Sequence, residues 1–263
     1  MAMNRTNPYG YFSEQNDSCR IRMKQGQNMA GFPIGIIFIE TVWYPYVPGN
    51  VANGYTYPFP VRLEPVRGLT CQALFDAASG VEEKVLEACI RLEKAGVRAI
   101  SGACGFFGHY QKQIAGQLSV PVALSSLLQI PWILPLIKSG QRIGVLTAQK
   151  DSLTDALLEN CGVTESMRER LIIRDLGREP EFSAITEGRG SFDNGAVRDE
   201  VVSKAVEIVR EDPAVGAFLL ECSDMPPYAY AVQAATGKPV YDFITMIRWL
   251  CMGVTQTPYC GFL

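Results

Sequence analysis

The chain has 263 residues, a net charge of −3 and 48% hydrophobic residues, with eight cysteines and a single histidine. This length suffices for one large domain or two small ones, and the mild acidity leaves no basic surface for a nucleic-acid backbone, so nucleic-acid binding is not expected. No apolar run approaches the roughly 20 residues of a membrane span, and the first thirty residues lack a signal peptide's apolar segment, so we expect a cytoplasmic protein without membrane contact.

The first half of the chain is predicted as strand, insertion, helix and strand. Residues 1–31 are polar and form an expected N-terminal extension. A buried parallel strand is predicted over 32–40, FPIGIIFIE, and a long insertion rich in Pro, Gly and aromatic residues follows over 41–70. Loops of that length usually act as lids or binding loops. An amphipathic helix over 81–96 then leads to a strand ending at Cys104.

The second half repeats this order. A strand is predicted over 142–147, an amphipathic helix over 197–214, and a further strand ends at Cys222. Adding 118 to the position of Cys104 gives Cys222, and the same offset relates the two later Pro-Val pairs. Similarity at a fixed offset indicates an internal duplication.

The duplication predicts the fold class. We expect an α/β protein made of two duplicated, doubly wound parallel-sheet halves, related by a pseudo-twofold axis, with the active site in the cleft between them. The halves are assigned to residues 32–140 and 141–263. The C-terminal segment either stays with the second half or crosses back to pack on the first.

The cysteines and the lone histidine exclude several kinds of site. The closest two cysteines, Cys251 and Cys260, are nine residues apart, so no Cys-x-x-Cys zinc or redox pair exists. With His109 as the single histidine, HExxH and His-rich metal sites are also excluded. Neither a P-loop nor a dinucleotide-binding fingerprint is present. We therefore expect no metal and no cofactor, and chemistry that rests on thiols or carboxylates.

Cys104 and Cys222 both stand where a buried strand ends and a turn leads to a helix. At that edge of a parallel sheet side chains point into the ligand crevice, and a helix N-terminus lowers the pKa of a thiol. A pseudo-twofold axis would place the two thiols on opposite sides of one cleft. One thiolate then removes a proton from a carbon next to a carboxylate, and the opposite thiol returns one to the other face.

Five stretches resemble the aspartate/glutamate racemase superfamily: PGNVAN followed by YPFPV in the insertion, then ACGFFG, SSLLQIP, GVLTA and LECSDMPPYA. The resemblance implies that Cys104 and Cys222 are the two catalytic acid/base thiols. It also implies that the positions after them bind the substrate carboxylate: Gly105, Phe106, Ser223 and Asp224.

Position along the chain predicts further substrate contacts. Three lie in the insertion and three at the ends of predicted strands: Asn50, Asn53, Arg62, Ser125, Ser126 and Thr147. The aromatic residues of the insertion, Tyr44 and Tyr46 among them, either cover the pocket or only pack the loop down. Glu221 alternates with Cys222 along the predicted strand and is expected to face away from the cleft.

These features predict an enzyme of the isomerase class. We expect a cofactor-independent racemase or epimerase that acts at the carbon α to the carboxylate of an amino acid or derivative. One alternative is a decarboxylase or a cis-trans isomerase of a dicarboxylate on the same fold. Another is an intracellular, non-catalytic small-molecule binding protein. The expected partner is a small-molecule carboxylate. A homodimer is expected only because dimers are the commonest oligomers of soluble proteins.

Overall fold

The computed structural model describes Met23 and residues 25–263, so most of the expected N-terminal extension, 1–31, lies outside the described residues. This part of the chain forms two four-stranded sheets, and every neighbouring pair of strands is parallel. The strands are β1 (Ile34–Ile39), β2 (Val61–Val66), β3 (Ala99–Gly102), β4 (Val122–Ala123), β5 (Arg142–Thr147), β6 (Leu171–Asp175), β7 (Val215–Leu220) and β8 (Val240–Tyr241).

Helices connect the strands. The α-helices are α1 (Cys71–Phe75), α2 (Val81–Ala95), α3 (Gln111–Ala115), α4 (Ile130–Ile133), α5 (Asp155–Asn160), α6 (Glu165–Arg168), α7 (Ser183–Thr186), α8 (Asn194–Glu211), α9 (Ala229–Thr236) and α10 (Phe243–Val254). Short 3₁₀ turns lie at Gly54–Thr56, Gly105–Tyr110, Ser126–Gln129, Leu134–Leu136, Lys150–Ser152 and Pro226–Tyr228. None of the helices in the described region is long and apolar enough to cross a membrane.

The two sheets have the same strand order. It is β2-β1-β3-β4 in the first and β6-β5-β7-β8 in the second. The prediction of a duplicated α/β fold with parallel sheets is therefore confirmed. The expected loop over 41–70 was wrong in one respect, because its last part contains β2, which pairs with β1. Pro65 lies in this strand, and the edge position of β2 tolerates its missing N–H.

The sequences of the inner elements account for their burial. The first strand, IGIIFI, is almost wholly buried, as expected when helices cover both faces of a parallel sheet. The second helix buries Val85, Cys89 and Leu92 on one face and ends at Gly96, whose φ of +91° suits a residue without Cβ.

The hydrophobic core is continuous across the halves. One cluster of buried side chains contains Ile37 of the first sheet together with Ile143 and Leu219 of the second. Helix α10 belongs to the second half in sequence, yet Phe243 and Ile247 pack in a cluster with Ile34 of β1. The last helix of the chain therefore completes the core of the first half.

Candidate functional site

Cys104 and Cys222 occupy equivalent positions in the two halves. Each follows the end of the third strand of its sheet by two residues, β3 ending at Gly102 and β7 at Leu220. Both thiols line one cavity between the sheets, and the charge on Cys104 contributes to the raised pKa of Cys222. The fold thus brings the two cysteines to one cavity.

The cavity has a volume of about 40 Å³, room for a few water molecules. Its wall comes from the loop after β1, from helix α1 and from the turns after both cysteines. The polar and aromatic lining includes Tyr44, Tyr46, Asn50, Cys71, Phe75, Cys104, Phe106, Thr186, Glu221, Cys222, Ser223 and Asp224. Two carboxylates stand in this wall, and the lining residues within the described chain include no lysine, arginine or histidine.

A carboxylate accompanies the second thiol. The Cys222 thiol donates a hydrogen bond to Asp224 Oδ2 at 3.4 Å, and Asn50 Nδ2 donates to Asp224 Oδ1 at 2.5 Å. Tyr44 also donates to this carboxylate. Burial raises the pKa of Asp224, while these donors oppose the rise. Asp224 is therefore placed to accept the proton of the Cys222 thiol.

Both thiols are held protonated at rest. Burial is the largest cause that raises the pKa of Cys222, followed by the charges of Asp224 and Glu221. Burial, then the charge of Glu221, likewise raises the pKa of Cys104. In each half the backbone N–H two residues after the cysteine, at Phe106 or Asp224, opposes the shift by donating to the sulfur. A thiolate therefore forms in this site only when a nearby group accepts the thiol proton or when a positive charge balances the thiolate.

Glu221 is a part of the site that the sequence reasoning placed wrongly. Its side chain is fully buried and lines the cavity, whereas the alternation along β7 predicted that it faces away. The strand ends at Leu220, so the alternation no longer applies at Glu221. Thr147 Oγ1 donates to Glu221 Oε2 at 2.8 Å, and the N–H of Ala148 also donates to this carboxylate.

The other oxygen of Glu221 stands alone within the described structure. Its Oε1 is buried without a hydrogen-bond partner. A Cβ added at Gly105 would lie 1.6 Å from this oxygen, so the carboxyl packs directly against the turn that carries Cys104. Burial raises the pKa of Glu221 to about 7.

The structure separates the predicted substrate contacts into two groups. Five line the cavity: Asn50, Gly105, Phe106, Ser223 and Asp224. Five do not: Asn53, Arg62, Ser125, Ser126 and Thr147.

Each residue of the second group has another role or position. Asn53 caps the 3₁₀ turn at Gly54–Thr56. Arg62 lies on the edge strand β2 and contacts the Met29 sulfur at 3.6 Å. Ser125 caps the 3₁₀ turn at Ser126–Gln129. The Ser126 hydroxyl donates to the Leu220 and Glu221 carbonyls, and Thr147 holds Glu221, so these two support the wall from behind.

The loop after β1 closes over the second cysteine. The N–H of Val51 donates to the carbonyl of Ser223 at 3.2 Å, and the Tyr57 hydroxyl donates to the Val51 carbonyl at 2.8 Å. Gly49 has a φ of +103°, and a Cβ there would lie 2.8 Å from Pro227 Cα. The loop therefore covers the cavity through close backbone contact with the turn after Cys222.

Among residues 25–263 and Met23, no group of three or more His, Cys, Asp or Glu side chains is arranged to hold a metal ion. The ionisable groups of the cavity are instead three thiols, those of Cys71, Cys104 and Cys222, two carboxylates, and the phenols of Tyr44 and Tyr46. This set supports proton transfer within a closed, mostly apolar space.

No family model matches the chain. A dimethylsulfoniopropionate lyase from Durusdinium sp. clade D is 30% identical over 241 residues, which cover 89% of this chain and 79% of that protein. Dimethylsulfoniopropionate lyase 7 of Emiliania huxleyi is 31% identical over 240 residues, which cover 87% and 69%. Against lyase 6 of the same organism, the 240 matched residues span 61% of the relative's length.

Solved structures confirm the fold. An allantoin racemase from Klebsiella pneumoniae has a TM-score of 0.60 at 17% identity, covering 86% of this chain and 90% of the other. Arylmalonate decarboxylase gives 0.53 at 18% identity, covering 84% and 92%. An aspartate racemase homologue from Pyrococcus horikoshii gives 0.52 at 17% identity, covering 84% and 98%. The resemblance to the aspartate/glutamate racemase superfamily is therefore correct at the level of the fold.

The expected function is wrong. The relatives at about 30% identity are named as lyases, which contradicts the expected racemase or epimerase and the isomerase class. The alternatives of a decarboxylase, a cis-trans isomerase and a binding protein do not match these names either. Two thiols in a carboxylate site indicate proton removal from an α-carbon. They carry no information about a leaving group on the next carbon, which separates an elimination from a racemisation.

Proposed function

Because this chain belongs to the dimethylsulfoniopropionate lyase family, we propose that it cleaves dimethylsulfoniopropionate by β-elimination. Removal of a proton from the carbon next to the carboxylate breaks the C–S bond on the following carbon, and the sulfonium group leaves as dimethyl sulfide. The products are dimethyl sulfide and acrylate, with release of one proton. The two-thiol cavity of the racemase fold then serves an elimination, for which one base suffices.

The charge of the cavity carries this proposal. Two buried carboxylates line it, and the described lining contains no basic side chain. A dicarboxylate would bring its negative charges beside Glu221 and Asp224 without compensation, which is costly in a buried site. A sulfonium zwitterion brings one positive charge to these carboxylates. Its carboxylate end faces the neutral peptide groups of the turns after the cysteines.

The hydrogen bond between Cys222 and Asp224 supports Cys222 as the base. The thiol passes its proton to Asp224, and the thiolate takes the α-proton of the substrate. The electron pair of the broken C–H bond forms the double bond of acrylate. The C–S bond breaks with its electrons on sulfur, so dimethyl sulfide leaves neutral, and Asp224 returns its proton to the solvent.

The direct test is incubation of the full-length protein with dimethylsulfoniopropionate. Dimethyl sulfide is measured in the headspace by gas chromatography, and acrylate in solution by NMR. We expect both in equal amounts. A folded protein that releases neither product would refute the proposed function.

Substitution of single cysteines tests the choice of base. We expect Cys222→Ser to lower kcat by at least about 100-fold, since a hydroxyl is a far weaker base than a thiolate. Cys104→Ser is expected to keep kcat within about tenfold, because one base completes the elimination. Cys260→Ser, at an exposed thiol, is the matched control and should leave turnover unchanged. The reverse ranking of the two cavity variants would contradict Cys222 as the base.

A further inference from the structure

The feature that the elimination leaves unused is the solitary oxygen of Glu221. A fully buried carboxyl normally receives hydrogen bonds on both oxygens or pairs with a cation. Here Oε2 accepts from Thr147, while Oε1 has no partner in the described structure and lies against Gly105. The side chain forms part of the cavity wall beside both thiols. Among the described residues this carboxyl therefore lacks a full set of hydrogen-bond partners.

The charges around Glu221 indicate what it lacks. The charged neighbours that shift its pKa, Asp224 and Asp175, are both negative. The other carboxylate of the cavity is already engaged, since Asp224 accepts from Cys222, Asn50 and Tyr44. Glu221 is thus the carboxylate with an unengaged oxygen in this wall, and the cavity residues that the structure describes include no basic side chain to balance it.

A sulfonium group matches this site chemically. It is a permanent cation without an N–H or O–H, so it pairs with an oxygen by charge and contact alone. The aromatic rings of Phe75 and Phe106 lie 4.5 Å apart between centroids in the same wall. Aromatic faces attract onium cations, as in the recognition of quaternary ammonium groups.

We propose that the Glu221 carboxylate is the counter-charge that recognises the sulfonium group, a role that rests on the proposed lyase function. Glu221 sets substrate specificity by selecting a cationic group on the β-carbon. Thr147 acts as a positioning residue, since its hydroxyl holds Oε2 and thereby turns Oε1 towards Gly105.

Two isosteric ligands test this role without turnover. The probe 3-(trimethylammonio)propanoate is a zwitterion whose cationic trimethylammonium end is a poor leaving group, and 4,4-dimethylpentanoate has the same shape with an uncharged tert-butyl group at that end. Calorimetry gives the Kd of each for the wild type and for Glu221→Gln, with folding monitored by thermal unfolding. We expect Glu221→Gln to lower the preference for the trimethylammonium end by at least about tenfold, because an opposite charge within about 4–6 Å acts on this scale. The affinity for 4,4-dimethylpentanoate, whose tert-butyl end is uncharged, should not fall.

Two further variants sharpen the result. Glu211→Gln removes an equal charge from an exposed surface pair with Arg174, and should leave the preference unchanged. Thr147→Val keeps the Glu221 carboxylate but removes the hydrogen bond that holds it. This variant should lose part of the preference for the trimethylammonium ligand. An unchanged preference in Glu221→Gln would overturn the proposal even if dimethyl sulfide is still released, and so would a wild type without preference for the cation. A wild type that selects the cation through Glu221 but releases no dimethyl sulfide would refute the lyase function alone.

Discussion

The protonation of Glu221 links the site to stability. Its pKa is about 7 in the folded protein, against an ordinary value of 4.5. Between these two pH values the unfolded chain has lost the proton that the folded protein retains, so the free energy of unfolding falls as pH rises. The shift corresponds to about 3 kcal/mol. The cavity thus retains a carboxyl that reduces the stability of the protein at neutral pH.

Glu221→Gln removes this penalty. We expect the variant to be more stable than the wild type at pH 8, by up to about 3 kcal/mol, and equally stable near pH 4, where Glu221 is protonated in both states. Urea unfolding at the two pH values measures the difference. Glu211→Gln, at an exposed position, should show no such pH-dependent gap. A gap of equal size at both pH values would show that burial of the charge is not its cause.

Single residues of the site differ in how far the sequence could predict them. Cys104 and Cys222 stand out because the offset of 118 residues repeats a strand end. The contact between Asn50 and Asp224 joins residues 174 positions apart, and no local pattern reports such a pairing. Glu221 was misplaced because a two-residue alternation predicts direction only while the strand continues.

At the scale of elements, the loop after β1 forms part of the cavity wall and contacts the turn after Cys222. Gly49 brings its backbone against Pro227 in a conformation, φ of +103°, that residues with a Cβ rarely adopt. We expect Gly49→Ala to raise KM about tenfold, because strain of about 1–3 kcal/mol is relieved by lifting the loop. Steady-state kinetics of dimethyl sulfide release measures the change.

The loop itself supplies the matched control. A Cβ at Gly54 meets no atom within 4 Å, so Gly54→Ala should leave KM within about twofold. An equal increase in both variants would show that the close contact at Gly49 does not hold the loop.

Elements were predictable where the hydrophobic period is strong. The helix expected over 81–96 is observed as Val81–Ala95, and the strand over 32–40 as Ile34–Ile39. The strand β2 was missed because VRLEPV contains a proline. It lies at the sheet edge, where the backbone groups on one side of the strand pair with no neighbouring strand. A short edge strand buries too little to leave a clear pattern.

At the scale of the molecule, the repeat of βαβ order predicted both sheets, because parallel strands require crossover helices. The placement of α10 follows instead from contacts between Phe243, Ile247 and β1 residues that lie some two hundred positions away. We expect a chain truncated after Asp242 to lose cooperative folding. Burial of each large side chain of α10 contributes about 1.5–3 kcal/mol to stability, whereas the free energy of unfolding of a whole protein is about 5–15 kcal/mol.

A shorter truncation provides the comparison. Removal of residues 256–263, which are exposed, should change the thermal midpoint little. Circular dichroism of both truncated chains measures the difference. Cooperative unfolding of the chain that ends at Asp242 would show that the first sheet does not depend on α10.

The return of α10 to the first sheet also has a consequence for the order of folding during synthesis. Chains emerge from the ribosome at about 5–20 residues per second, and N-terminal units commonly fold first. Here the first half meets its covering helix only after the second sheet has been made, since Phe243 and Ile247 follow all eight strands in the sequence. The face of β1 that packs against α10 therefore stays uncovered until α10 has been synthesised.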